Sequence, residues 1–220
     1  MKKALAVLAI AAVVVPAMAE LVTVDATPFD GVVQTSGTFN KTVPVYDNTT
    51  NGTGYYYNHG GLEVGDDLGM VAGGVVDAFA FGYYDPNDGI DATTATVRFY
   101  DLSTFVGDGS DVPIASYVVD SLPGAGAWLM GVTIASPADY LPANVVMSVQ
   151  FDIADAGLLI YDPPTIGTSQ DMFWQNDGSG NWYWFGGIPP ANFALSVEVV
   201  PEPASLALLA LGGLVLIRRR

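Results

Sequence analysis

Short runs of alternating hydrophobic and polar residues dominate the chain between residues 20 and 200. The clearest apolar sets at alternate positions are Ala95, Val97 and Phe99; Met147, Val149, Phe151 and Ile153; and Leu195, Val197 and Val199. A period of two residues is that of a β-strand with one buried face. Because no segment of this region has a sustained helical period, the pattern predicts an all-β protein.

Glycine, proline, aspartate and asparagine separate further runs of β-branched and aromatic residues, as is typical of turns between strands. The additional strands predicted are 21–26, 42–46, 54–58, 75–84, 127–134, 157–161, 171–175, 181–185 and 192–199. About ten to twelve strands favour a two-sheet antiparallel β-sandwich of jelly-roll type over residues 20–199, with a single closed sheet as the alternative. Residues 40–61, rich in Asn, Thr, Tyr and Gly, are predicted to be a long exposed loop.

The N-terminal segment does not fit the strand pattern. Two lysines and an apolar run at residues 4–15 precede Ala17 and Ala19, which form a small-x-small cleavage site. We therefore expect residues 1–19 to be a signal peptide that is removed on export. A permanent membrane helix is the alternative, but the proline after the run and the shortness of the run disfavour it.

Residues 200–220 combine three different parts. They are the motif Pro201, Glu202 and Pro203, the uncharged segment 204–217 rich in Ala and Leu, and the cluster Arg218, Arg219 and Arg220. A helix of that uncharged segment would span about 21 Å, less than the ~30 Å hydrocarbon core, so the predicted transmembrane helix is marginal. The arginines should stay cytoplasmic and leave the domain outside. A permanent tail anchor and a buried core helix are the alternatives.

This order of motif, apolar helix and arginine cluster resembles the PEP-CTERM sorting signal of exported proteins from exopolysaccharide-forming Gram-negative bacteria. The resemblance covers about a tenth of the chain. It implies that an exosortase-like membrane protease recognises Pro201, Glu202 and Pro203 and removes the helix, while the arginines fix its orientation. It also implies transient residence at the inner membrane, followed by delivery to the cell surface or extracellular matrix.

Without its terminal segments, the chain is strongly acidic. Residues 20–200 contain Lys41 and Arg98 against twenty-two acidic residues, a net charge of −20. Such a domain repels phosphate backbones, which argues against nucleic acid as a partner, and it attracts divalent cations. The chain has no cysteine, so a domain of about 180 residues must be stabilised by its core without disulfides.

One segment offers closely spaced oxygen ligands of the kind that Ca²⁺ requires. The four candidate ligands are Asp85, Asn87, Asp88 and Asp91. The segment is not an EF-hand, because its glycine falls at the fifth position and the distal glutamate is missing. A solvated hairpin turn is the alternative. The acidic residues at 66–67 and 108–111 are weaker candidates.

Three of the four tryptophans lie within twelve residues of one another. Trp182 and Trp184, if exposed, could stack on sugar rings, which would make the domain a carbohydrate-binding module. Strand alternation places these two on one face and Tyr183 and Phe185 on the other, so one pair is expected in the core. Core packing by both pairs is the alternative.

Few residues point to catalysis. His59 is the only histidine in the sequence and lies beside two glycines, which is typical of a loop. Thiol, zinc and Ser-His-Asp chemistry therefore lack support, and no carboxylate pair stands out as that of a glycan-active hydrolase. The sequence predicts a non-enzymatic exported protein of the cell surface or exopolysaccharide matrix with a structural or adhesive role. Ca²⁺ and exopolysaccharide are its candidate ligands.

Overall fold

The computed structural model describes residues 20–21, 23–28, 42–86, 94–188 and 190–200, and all of its regular elements are strands. In chain order they are β1 (Glu20–Leu21), β2 (Thr23–Pro28), β3 (Val43–Asp47), β4 (Gly52–Asn58), β5 (Val64–Gly69), β6 (Gly74–Asp85), β7 (Thr94–Asp101), β8 (Ala115–Asp120), β9 (Gly126–Thr133), β10 (Tyr140–Leu141), β11 (Asn144–Phe151), β12 (Gly157–Tyr161), β13 (Phe173–Gln175), β14 (Trp182–Tyr183) and β15 (Leu195–Val200). The all-β prediction is confirmed.

The strands form two sheets. The first contains seven strands in the order β1-β8-β7-β11-β5-β13-β14, and the second contains eight strands built around β6. β6 is twelve residues long and pairs with β9 and β10 on one side and with β12 and β15 on the other. Outside these lie β2 against β9, β4 against β12 and β3 against β15. All the strand pairs are antiparallel except β1 with β8, which agrees with a β-sandwich.

The core is formed by the alternate residues that the sequence pattern indicated. The side chains of Ala95, Val97 and Phe99 are buried, as are those of Met147, Val149, Phe151, Leu195, Val197 and Val199. They belong to one hydrophobic cluster with residues of β6, β8 and β9, so the two sheets share a single core. Burial of these faces is the main favourable contribution to folding, because apolar surface removed from water contributes roughly 25 cal/mol per Å².

Some strands were not predicted. β5 has the sequence Val-Gly-Asp-Asp-Leu-Gly, whose composition is that of a turn, yet it lies between β11 and β13 in the first sheet. β8 was also missed, although its burial alternates regularly. Two predictions were made for residues 40–61. The predicted strands 42–46 and 54–58 correspond to β3 and β4, whereas the prediction of a long exposed loop was wrong, because these strands occupy most of the described part of the segment. Pairing with β15 and β12 gives this segment strand structure despite its turn-like composition.

The last strand is held on both sides. β15 pairs with β6 up to Val200 and with β3 up to Val199. Gly74 of β6 makes this close approach possible, because a Cβ there would lie 2.8 Å from Cγ2 of Val199. The predicted signal peptide, sorting motif, apolar helix and arginine cluster lie outside the described residues. Among the residues that are described, no helix is long and apolar enough to cross a membrane.

Candidate functional site

The tryptophan-rich segment forms a hairpin at the edge of the first sheet. β13 and β14 pair with Phe173 opposite Tyr183 and Trp174 opposite Trp182. The turn between them is closed by Asp177, whose carboxylate accepts hydrogen bonds from the backbone N–H of Ser179 at 2.9 Å and from the Tyr183 hydroxyl. Hydrogen bonding by the Ser179 side chain, followed by that of the Tyr183 hydroxyl and the Ser179 N–H, lowers the pKa of Asp177 to about 2. Because neighbouring residues of a strand point to opposite faces, the hairpin has one face with Phe173 and Tyr183 and another with Trp174 and Trp182.

The inner face of the hairpin belongs to the core. Tyr183 and Phe185 pack against the buried cluster, with ring centroids 5.7 Å and 4.8 Å from that of Phe173. Tyr57 of β4 completes the contact at 4.7 Å from Phe173. Aromatic pairs at these separations add stabilisation beyond the burial of their surface. Tyr183 and Phe185 thus anchor the hairpin between the sheets.

The outer face carries the tryptophans, but they differ in exposure. Trp174 is fully buried, and its indole N–H donates to the Gly107 carbonyl at 2.7 Å. Phe105, from the loop after β7, packs 5.0 Å from Trp174 and 6.2 Å from Trp182. Trp182 is therefore half-buried, whereas Trp184 is 64% exposed. Of the two predicted sugar-stacking residues, only Trp184 has a side chain that is largely exposed to solvent. Phe105 could not be predicted as part of this face, because it is an isolated aromatic residue in a polar loop.

A buried carboxylate fixes the hairpin to the sheet. Glu63, just before β5, forms an ion pair with Arg98 at 3.0 Å and accepts hydrogen bonds from the hydroxyls of Tyr100 at 2.8 Å and Ser148 at 2.5 Å. Asn176 in the hairpin turn donates to its second oxygen at 3.4 Å. Burial, and next the charge of Glu63, raise the pKa of Tyr100. This cluster was not predicted, because its members are far apart along the chain.

A second carboxylate points into the core. Asp66 lies opposite Met147 and Phe173, which are core residues, and it is completely buried. Its oxygens accept hydrogen bonds from the backbone N–H of Phe193 at 2.8 Å and from the Ser169 hydroxyl at 2.9 Å. Burial, reinforced by the charge of neighbouring Asp67, raises the pKa of Asp66 well above its usual range. The acid is therefore protonated over an extended pH range.

Protonation of Asp66 allows its hydrogen bond with Ser169 to reverse direction, because the carboxyl group then has a proton to donate. The Ser169 hydroxyl lies 2.9 Å from Asp66, 3.1 Å from Oδ1 of Asn192 and 3.3 Å from the Gln170 carbonyl, but it has one proton to share among three acceptors. If Asp66 donates to Ser169, the serine proton is free for Asn192. Nδ2 of Asn192 in turn donates to Asp162 at 2.8 Å. The network links the buried Asp66 to Ser169, Asn192 and Asp162.

The residues predicted to bind Ca²⁺ are only partly described. Asp85 is the last residue of β6 and is fully buried, while Asn87, Asp88 and Asp91 lie outside the described residues. The weaker candidates Asp108 and Asp111 accept hydrogen bonds from nearby backbone N–H groups. The donor to Asp108 is Ser110 at 2.9 Å, and the donors to Asp111 are Val106 at 2.8 Å and Gly107 at 2.7 Å. Within the described ranges, no group of three or more His, Cys, Asp or Glu side chains is arranged to hold a metal ion.

His59 follows β4, where the sequence predicted a loop, but its side chain is buried. Its ring stacks on Phe151 with a centroid separation of 5.6 Å. Burial lowers the pKa of His59 to about 4. The imidazole is therefore neutral in the folded protein near neutral pH and belongs to the core.

Comparison with known protein families finds a match at the C-terminal end of the sequence. The model of the PEP-CTERM protein-sorting motif matches residues 199–220, which include Pro201, Glu202, Pro203 and the arginine cluster. The resemblance inferred from the sequence is confirmed for this segment. A search of curated proteins gave no match. The motif indicates sorting and processing by exosortase, a membrane protein, and export to the cell surface or extracellular space.

Proposed function

Because residues 199–220 carry the PEP-CTERM motif, we propose that the protein is a non-enzymatic structural or adhesive module of the cell surface or exopolysaccharide matrix. The observation that carries this proposal is that the last strand of the folded domain runs directly into the sorting signal. β15 is paired up to Val200, while the motif match begins at residue 199. The two overlap by two residues, so the signal delivers a rigid folded body that is held next to the membrane until processing.

Several details of delivery are part of the same proposal. Residues 1–19 are cleaved after Ala19, Pro201 to Pro203 are the recognition residues, and the arginines hold the tail at the inner membrane of a Gram-negative bacterium. Most connections between successive strands cross from one sheet to the other, which supports a jelly-roll arrangement for the exported body. A non-enzymatic role is supported by Glu63 and Asp66, whose carboxylates are engaged by neighbouring side chains and backbone within the fold.

The test has two arms. The intact mass of the protein from cells with and without a functional exosortase should differ by about the last twenty residues, and an identical full-length tail in both strains would refute processing. For the role itself, a strain lacking the gene should lose matrix cohesion or surface adhesion, and the wild-type gene should restore it. Unchanged cohesion and adhesion in the deletion strain would refute the structural or adhesive role. Turnover of polysaccharides by the purified protein would refute the non-enzymatic assignment.

A second candidate function is carbohydrate binding, which the exposure of Trp184 favours. An indole ring open to solvent can stack on the apolar face of a pyranose, whereas Trp182 is partly covered by Phe105. We expect Trp184→Ala to lower glycan affinity at least tenfold if this ring is the binding surface. Ile188→Ala is the matched control, because Ile188 is 91% exposed in the same segment. Equal binding by the two variants and the wild type would contradict the hypothesis.

A further inference from the structure

Among the described residues, strand β4 forms an open edge of the second sheet. Within the part of the chain that the structure describes, β4 pairs only with β12, and it stands last in the strand order β2-β9-β6-β12-β4. In an antiparallel ladder every second residue directs its backbone N–H and C=O away from its partner. One side of β4 therefore offers the hydrogen-bonding groups to which a further strand can add.

The other edges are short, interrupted or covered. β1 and β14 contain two residues each, and β2 includes Asp25 and ends on Pro28. The outer side of β3 is covered, because Asp47 donates its backbone N–H to Ile166 and the Val45 carbonyl accepts from Val71. Short strands, charges, prolines and covering loops are the usual protection of sheet edges against pairing with other chains. β4 lacks a charged residue and a proline.

The charge distribution favours a second copy of this chain as the partner. Residues 48–62 contain no acidic residue, lysine or arginine, although the region 20–200 has a net charge of −20. Two acidic edges would repel each other, whereas two uncharged edges can approach closely. Tyr55 and Tyr56 are 58% and 39% exposed, so each copy also presents large rings at this edge.

The geometry points to a symmetric antiparallel pair, and we propose that two copies of this protein associate through β4 about a two-fold axis at Tyr56. A register shift against β12 and the positive φ of Gly54 confine the regular part of the strand to residues 55–58. The axis brings Tyr56 of one copy opposite Tyr56 of its partner. Because Tyr56 already packs against Tyr84 at 4.7 Å, the pair extends this contact into a row of four rings.

Export to a surface promotes this pairing. A single pair of short strands buries little area, so the association is weak for dilute protein. Display on one surface raises the effective concentration of the copies without any new contact. The pairing rests on the edge geometry and the extracellular location, and it does not depend on an adhesive role, so the two proposals can fail separately.

Cysteine cross-linking tests the interface directly, because the chain has no native cysteine. In the full chain, exported by its own cells, Tyr56→Cys places two thiols opposite each other with Cβ atoms about 5 Å apart. Mild oxidation should convert it to a disulfide dimer at least tenfold faster than Val112→Cys, a control that is 74% exposed and distant from β4 in the sequence. Equal rates at the two positions would overturn the proposal. Cross-linking of Tyr56→Cys to a different protein, in place of itself, would also overturn it.

A charge variant provides an independent measurement. Tyr56→Glu places two carboxylates opposite each other, so sedimentation of the processed protein should show a monomer at concentrations where the wild type dimerises. Val112→Glu should dimerise like the wild type. Unfolding temperatures of both variants establish that each is folded. A wild-type protein that stays monomeric at the highest soluble concentration and gives no Tyr56→Cys dimer on cells would refute the pairing.

Discussion

The inward-facing carboxyl of Asp66 predicts an unusual dependence of stability on pH. Its raised pKa means that the folded chain keeps a proton that the unfolded chain releases above the usual aspartate pKa of 3.8. The free energy of unfolding should therefore fall as the pH rises above about 3.8, by up to about 1.4 kcal/mol per pH unit, until the pH passes the folded pKa. This stabilisation is fully present only below the pKa of the unfolded state.

Asp66→Asn isolates this contribution. The asparagine has the shape of the protonated acid: its amide can donate to Ser169 while its oxygen accepts from the Phe193 N–H. Because the amide does not titrate, the free energy of unfolding should fall less steeply with pH in the variant than in the wild type, by up to about 1.4 kcal/mol per pH unit. The variant should therefore be more stable than the wild type near neutral pH. His59 acts in the opposite direction, since its lowered pKa makes stability fall as the pH drops from 6.5 towards about 4. Comparison of the two proteins at each pH cancels this contribution.

Urea unfolding followed by tryptophan fluorescence, between about pH 4 and pH 8, measures the effect. Asp108→Asn is the control, because hydrogen bonds from Ser110 lower the pKa of this exposed acid. Its removal should change the slope in the opposite sense. Parallel curves for the wild type and Asp66→Asn would mean that Asp66 releases its proton equally in both states, and the argument from burial would be wrong.

Two further predictions concern the hairpin face. Gly107→Ala should destabilise the protein by about 3 kcal/mol, because φ is +80° there and a Cβ would lie 2.6 Å from the Trp174 indole nitrogen. Gly178→Ala, at φ +77° with nothing within 4 Å, should lose only about 1 kcal/mol, and equal losses in urea unfolding would contradict the contact. Arg98→Met should cost about 2–3 kcal/mol by leaving the buried Glu63 carboxylate without its cation. In thermal unfolding, a change within error of zero would show that the neutral donors suffice.

The sequence predicted strands well where one face of the strand is buried and the other is exposed to solvent. Val97 and Val197 are examples, since each is flanked by polar residues and is buried in the structure. The same rule failed for β5, because Asp66 occupies a core position and Gly65 has no side chain. Only tertiary contacts, the bonds to Ser169 and Phe193, make a carboxyl acceptable there.

The candidate site was predictable in part for the same reason. Alternation in the hairpin separated Tyr183 and Phe185 from the two tryptophans, and the structure has this separation. It could not indicate that Phe105 covers Trp182, because this contact joins the loop after β7 to β14, which is far away in the sequence. Nor could it indicate the pairing of Glu63 with Arg98, which depends on β5 and β7 flanking β11.

The position of β15 has a consequence for the order in which the protein can fold during export. This strand, the last described in sequence, lies between β3 and β6, so the earlier segments cannot complete their sheet until residue 200 has crossed the membrane. Up to that moment the edges of β3 and β6 that pair with β15 lack their partner strand and remain vulnerable to misfolding and proteolysis. If the tail is held at the membrane as proposed, the chain stays at the translocation site while its final strand inserts, so maturation of the fold can precede release.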